Sequence, residues 1–153
     1  MEIKTVTQKY EFQNYLDLLK DSLYMQKNNF EQTLKNKIPL PYSDFIKREM
    51  EKNRIEATQT EKIKIMLTQM EDNLKQLSEI NLTLSFEPDE LLINDIYLWI
   101  KENIGGGIIL NLNINPEIIA GAIISYQGLY TDNSAGKRLK NLSIRQILNK
   151  NYE

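Results

Sequence analysis

Several residue groups in this chain have the types and spacing that chemistry requires. Ser134 and Lys137 stand in S-x-x-K register, the arrangement in which a lysine one helical turn on can activate a serine for acyl transfer. The companion motifs of such enzymes are absent, and a capping serine followed by a solvated lysine explains the pair. Gly136-Lys137 ends like a phosphate-binding loop. Thr131, however, stands where the earlier glycine is required, and Arg138 stands where a serine or threonine would hold magnesium. Glu87, Asp89 and Glu90 form the tightest acidic cluster. Paired carboxylates can transfer protons or hold a cation, but acids in a first helical turn are also what the helix dipole favours. Asp132 beside Ser134 reads as a turn and cap. Gly105-Gly106-Gly107 follows a predicted helix and precedes a predicted strand, the reverse of a dinucleotide fingerprint.

Composition narrows the chemistry further. The chain has no histidine and no cysteine. It therefore lacks the usual general base, the commonest metal ligand, disulfides and thiol chemistry. These absences argue against an enzyme, leaving only carboxylate chemistry open; no cofactor and no metal is expected. With 153 residues the chain is one domain, or one domain with a helical arm. The formal charge of -2, with both signs interspersed and no basic block, does not favour a nucleic-acid partner. A mean hydropathy of -0.46 and the lack of a long apolar run exclude a transmembrane helix. The start, MEIKTVTQKYEF, alternates polar and apolar residues and does not read as a secretory signal.

The elements that must position these residues fall into two halves, with a boundary near Ile80. Phe12, Leu16, Leu19, Leu23, Phe30 and Leu34 recur at helical spacing, which predicts one long helix from about 6 to 37. At 1.5 Å per residue it would span roughly 45 Å. Two readings stand: a helix folded back on its neighbours, or a projecting arm that packs on another subunit. Ile38-Pro39-Leu40-Pro41 ends it. Ser43 is a candidate cap for a helix over about 44–53. Thr58-Gln59-Thr60-Glu61 has capping-box spacing for a third helix to about Leu77. Ile63, Met66, Leu67, Met70, Leu74 and Leu77 form that helix's apolar stripe, with the methionines read as core filler.

From Asn81 the period changes to two. Leu82, Leu84 and Phe86 alternate with polar residues, predicting a half-buried strand. Glu87-Pro88-Asp89-Glu90 opens a helix whose expected buried stripe is Leu92, Ile96, Trp99, Ile100 and Ile104, stopped by the glycines. Strands follow at 108–114, 120–126 and 129–131, with Asn115-Pro116-Glu117 and Gln127-Gly128 as turns. A last helix is expected over about 135–149, capped from Asp132-Asn133-Ser134. The fold class is α+β: a helical half of about three helices (1–79), then a small β-α-β-β-β-α mixed sheet (80–153).

Asn81 to Leu142 resembles the C-terminal domain of the δ subunit of F-type ATP synthase, the oligomycin-sensitivity-conferring protein of mitochondria. The resemblance is carried by Asn115-Pro116, Ile118-Ile119, Ala120-Gly121, Ala122-Ile123-Ile124, Gln127-Gly128, Asp132-Asn133-Ser134 and Leu139, and by the upstream segment LTLSFEPDELLINDIYLWIKENI. The family's turn aspartate is Asn115 here and its first paired glycine is Ala120. Its six-helix N-terminal bundle has only about three predicted helices opposite it. The resemblance implies a mechanical role: a non-catalytic stator subunit that joins the peripheral stalk's b subunits to the α subunits of the catalytic head and keeps the head from turning with the rotor. It also implies a cytoplasmic location, peripheral on the inner face of the cell membrane through the complex, with no direct membrane insertion. Asn115, Pro116, Gly121, Gly128, Asp132, Ser134 and Leu139 would then be structural rather than catalytic residues. Two other readings are a different interaction module, such as the E-type stalk subunit of archaeal or vacuolar ATPases, and a small enzyme built on Glu87 and Asp89. The enzyme requires those acids inside a concave pocket.

Overall fold

Helical periodicity in the first half and alternation in the second are realised as two compact units in a computed structural model, which describes residues 1–24 and 30–134. The class is α+β.

The helical unit comprises Met1–Ile3 and Thr7–Leu77. Its helices are α1 (Val6–Tyr24), α2 (Phe30–Asn36), α3 (Leu40–Lys52) and α4 (Thr60–Lys75). The stripe read from the sequence is buried: Phe12, Leu16, Leu19, Leu23, Phe30 and Leu34 share one core with Ile46 and Met50 of α3 and Ile63, Met66, Leu67, Met70 and Leu74 of α4. Each such side chain contributes about 1.5–3 kcal/mol by leaving water. The projecting-arm reading is therefore overturned, because the stripe is covered within its own chain. Aromatic rings close one side of this core, with Tyr42 stacked on Phe12 at 5.4 Å between centroids and Phe45 set edge-on to Phe12 at 5.9 Å.

Two expected caps are not formed. Helix α3, expected over about 44–53, starts at Leu40 rather than Asp44, with Pro39 as its N-cap and Pro41 in its first turn. Proline is pre-organised for that position, where its missing N–H costs nothing. Ser43 is consequently buried inside the helix, its hydroxyl donating to the Leu40 carbonyl. The Thr58–Glu61 capping box is likewise absent. Gln59 is the N-cap of α4 without a side-chain cap bond, and its Oε1 instead accepts from the Glu56 N–H.

The sheet unit comprises Lys4–Val6 and the chain from Ser78 onward. Its described elements are β1 (Ser78–Leu84), α5 (Glu90–Asn103), β2 (Ile108–Ile114), β3 (Ala122–Tyr126) and β4 (Leu129–Asp132). The spatial order is β2-β1-β3-β4. β1 and β2 are parallel, as a strand–helix–strand crossover demands, while β3 runs antiparallel to β1 and to β4. The parallel register sets Asn81 opposite Asn111, and their side chains hydrogen-bond at 2.9 Å. Alternation places Ile80, Leu82 and Leu84 on the face that packs with Tyr97 and Ile100 of α5 and with Ile108 and Leu110 of β2. Phe86, expected to continue this face, lies beyond the end of β1 and is exposed.

The N-terminal residues contribute something the sequence did not reveal. Thr5 bridges to Leu110 in parallel, the Leu110 N–H donates to the Lys4 carbonyl at 2.8 Å, and Lys4 Nζ donates to Asn94 Oδ1 at 2.7 Å. This short pairing covers part of the β2 edge, which would otherwise present unpaired backbone groups. Lys4–Val6 thus belong to the sheet unit although the segments on either side of them belong to the helical one.

Candidate functional site

Helix α5 is apolar around most of its circumference, and a helix of that kind is normally buried on all sides. Here only Tyr97 and Ile100 are buried. Trp99 is 58% exposed, and Leu91, Leu98 and Ile104 are exposed as well. The expected buried stripe of Leu92, Ile96, Trp99, Ile100 and Ile104 is therefore only partly correct. The helix rolls so that Ile93, Ile96, Tyr97 and Ile100 meet the sheet, and Trp99 and Ile104 stay outside the core. The spacing of Ile93, Tyr97 and Ile100 is equally helical, so periodicity alone could not choose between the two stripes.

Between α5 and the sheet lies a groove of about 220 Å³. Ile96, Trp99 and Ile104 form its helical wall, Ile80, Leu82 and Leu110 part of its floor, and Ile124 and Tyr126 of β3 its far side. Every one of these side chains is apolar or aromatic, so among the described residues the groove wall carries no acid, general base or strong nucleophile. Glu90, Asp95, Lys101 and Glu102 of α5 are exposed, so the exposed charges of this helix have a negative balance. A second cleft of about 190 Å³ lies within the helical unit, bounded by Ile3, Phe12, Phe45, Met70, Leu74 and Leu77 among others.

The hairpin residues singled out from the sequence serve the backbone. Asn115 Oδ1 accepts from the Glu117 N–H at 3.0 Å, and the Ile118 N–H donates to the Asn115 carbonyl, so Pro116 sits in a tight turn. Gly121 has φ +92°, and a Cβ there would collide with the carbonyl of Asn133. Gln127 and Gly128 both have positive φ, 49° and 80°, as a type I′ hairpin turn requires. Asp132 Oδ1 accepts from the Ser134 N–H at 2.9 Å, and Ser134 is buried. Leu139, Lys137 and the expected helix over 135–149 lie outside the described residues.

The carboxylate reading fares poorly. Asp89 is the N-cap of α5, its Oδ1 accepting from the Leu92 N–H at 2.8 Å. Glu87, Asp89 and Glu90 are exposed, and they line neither the groove nor the cleft. Among the described residues no group of three acids is placed to hold a metal ion, and no helix is long and apolar enough to cross a membrane.

No curated protein matches the sequence. Among solved structures, one chain of the “Cryo-EM structure of Toxoplasma gondii mitochondrial ATP synthase hexamer, composite model” is similar at 10% identity and a TM-score of 0.39, over 92% of this chain and 87% of that one. The protein family described as “ATP synthase delta (OSCP) subunit” matches residues 1–145. That match extends the resemblance, read from the residues only over 81–142, through the helical half, and the chain belongs to the ATP synthase delta (OSCP) subunit family.

Proposed function

We propose that this chain is a non-catalytic stator subunit of a rotary F-type ATP synthase, linking the peripheral stalk to the catalytic head and resisting rotor torque. The observation that carries the docking role is the apolar groove beside the exposed Trp99 of α5. A groove of this kind fits the apolar face of an amphipathic helix, which would insert side chains at helical spacing. The occupant we assign is the helical end of the stalk's b subunits. Its flanks would be basic, complementing the exposed Glu90, Asp95 and Glu102 of α5. The helical unit, with its own apolar cleft, is the part assigned to the α subunits of the head. Asn115, Pro116, Gly121, Gly128, Asp132, Ser134 and Leu139 are assigned structural roles in holding the sheet unit's shape. The subunit would then be cytoplasmic and held at the inner face of the membrane only through its partners.

Affinity purification of the full chain under mild detergent tests this reading. Recovery of b and α subunits together is the expected result. A soluble assembly lacking ATP synthase subunits would sink it.

A further inference from the structure

The helical unit contains a polar contact that its packing does not explain. Lys20 of α1 forms an ion pair with Glu71 of α4 through Glu71 Oε2. The other oxygen of the same carboxylate, Oε1, is buried and has no hydrogen-bond partner. A carboxylate oxygen removed from water without a donor is costly. Lys20 is already engaged at Oε2. Lys75, one turn along α4, is held by Asp72 at 2.9 Å. Asp17 precedes Lys20 by one turn of α1, so it stands on the same side of that helix, and its carboxyl lies within interaction range of that of Glu71.

We propose that the Asp17 carboxyl, when protonated, donates to the buried Oε1 of Glu71, so that α1 and α4 are latched together more firmly as the pH falls. The charge pattern supports this direction. Partial burial, the charge of Glu71 and the hydrogen bond with it, together with the charge of Asp21, hold the Asp17 carboxyl above the usual carboxylate range against the opposing pull of Lys20. A carboxyl that binds its proton more tightly in the folded chain than in the unfolded one favours folding below its unfolded value. That advantage disappears as the pH rises through its folded value. Above it, two carboxylates face each other with Lys20 as their shared cation, and Oε1 loses its donor.

The latch is tested on the full chain by following the side-chain carboxyl carbons of Asp17 and Glu71 by NMR from pH 3 to 8, together with hydrogen exchange of α1 and α4 amides corrected for intrinsic rates. Asp17 should titrate above the ordinary aspartate range, and protection of both helices should rise about two- to fivefold on acidification, the range of a part-exposed charged pair. Asp17→Asn, whose amide can donate to Oε1 at any pH, should keep the protected state at pH 8 and lose the pH dependence. Glu71→Gln should return Asp17 to the ordinary range. The proposal is overturned if Asp17 titrates normally in the wild-type chain, or if Asp17→Asn retains the pH dependence. Should Glu71→Gln fail to fold, the wild-type titration still decides.

Discussion

Gly121 offers the sharpest test of the hairpin that the family signature marks. Its φ of +92° lies where L side chains are rarely found, and a Cβ built on it meets the Asn133 carbonyl, with Ser134 Cα a further 3.1 Å neighbour. The obstructing atoms are backbone. They are also held in place, since the Asn133 N–H donates to the Ala122 carbonyl at 2.9 Å. Gly121→Ala therefore incurs backbone strain of about 1–3 kcal/mol and a packing clash of about 1–3 kcal/mol. The sum is a destabilisation of about 2–6 kcal/mol, or a fall in Tm of about 4–24 °C for a chain of this size. Two other glycines separate the terms. Gly128 has φ +80° but open space around a Cβ, so Gly128→Ala should cost only the strain, about 1 kcal/mol. Gly106 has neither constraint, so Gly106→Ala should lie within about 0.5 kcal/mol of the wild-type chain. Urea unfolding of the three variants gives the comparison. A Gly121→Ala variant as stable as wild type, or a Gly128→Ala variant equally damaged, would refute the close-approach argument.

Other substitutions have defined expectations. Asp89→Ala removes the cap of α5 and should cost about 1 kcal/mol in thermal or urea unfolding, with Asp89→Asn retaining most of it. Leu67 is fully buried in the helical core, so Leu67→Ala should cost about 2–5 kcal/mol. Burial first, then the hydrogen bond to Glu11 and its charge, push the Tyr42 hydroxyl up to about 12. Its contribution to stability is complete below the ordinary tyrosine value of about 10 and is lost as the pH rises through about 12. Tyr42→Phe should therefore flatten the alkaline limb of a Tm-against-pH curve, while wild type continues to fall.

The parts of the fold that could be read from the sequence were those where one physical signal dominates. The apolar stripes of 12–34 and 63–74 have a single helical face, and both are buried as expected. Strand β1 and the Gln127-Gly128 turn follow from alternation and from the need for a positive φ. Reading failed where two local solutions compete. Ser43 and Thr58 have the chemistry of caps, but Pro41 placed in the first turn and the Gln59–Glu56 contact start those helices differently. The pairing of Thr5 with Leu110 joins residues far apart in sequence and leaves no local trace. The groove was hidden for a related reason. Ile96, Trp99 and Ile104 have the composition of core, and only the roll of α5 on the sheet decides which of them remain outside.

Trp99 is the only tryptophan in the chain, and it stands on the wall of the groove. Its fluorescence is therefore a direct reporter of docking. Adding the soluble helical end of the b subunits to the full chain should shift Trp99 emission to the blue and protect it from an aqueous quencher, and Ile104→Lys, at an exposed position on the groove wall, should weaken both changes while leaving the fold intact. Binding of that helix, measured independently by calorimetry, with Trp99 remaining fully open to the quencher would contradict the assignment of this groove as the stalk-docking site.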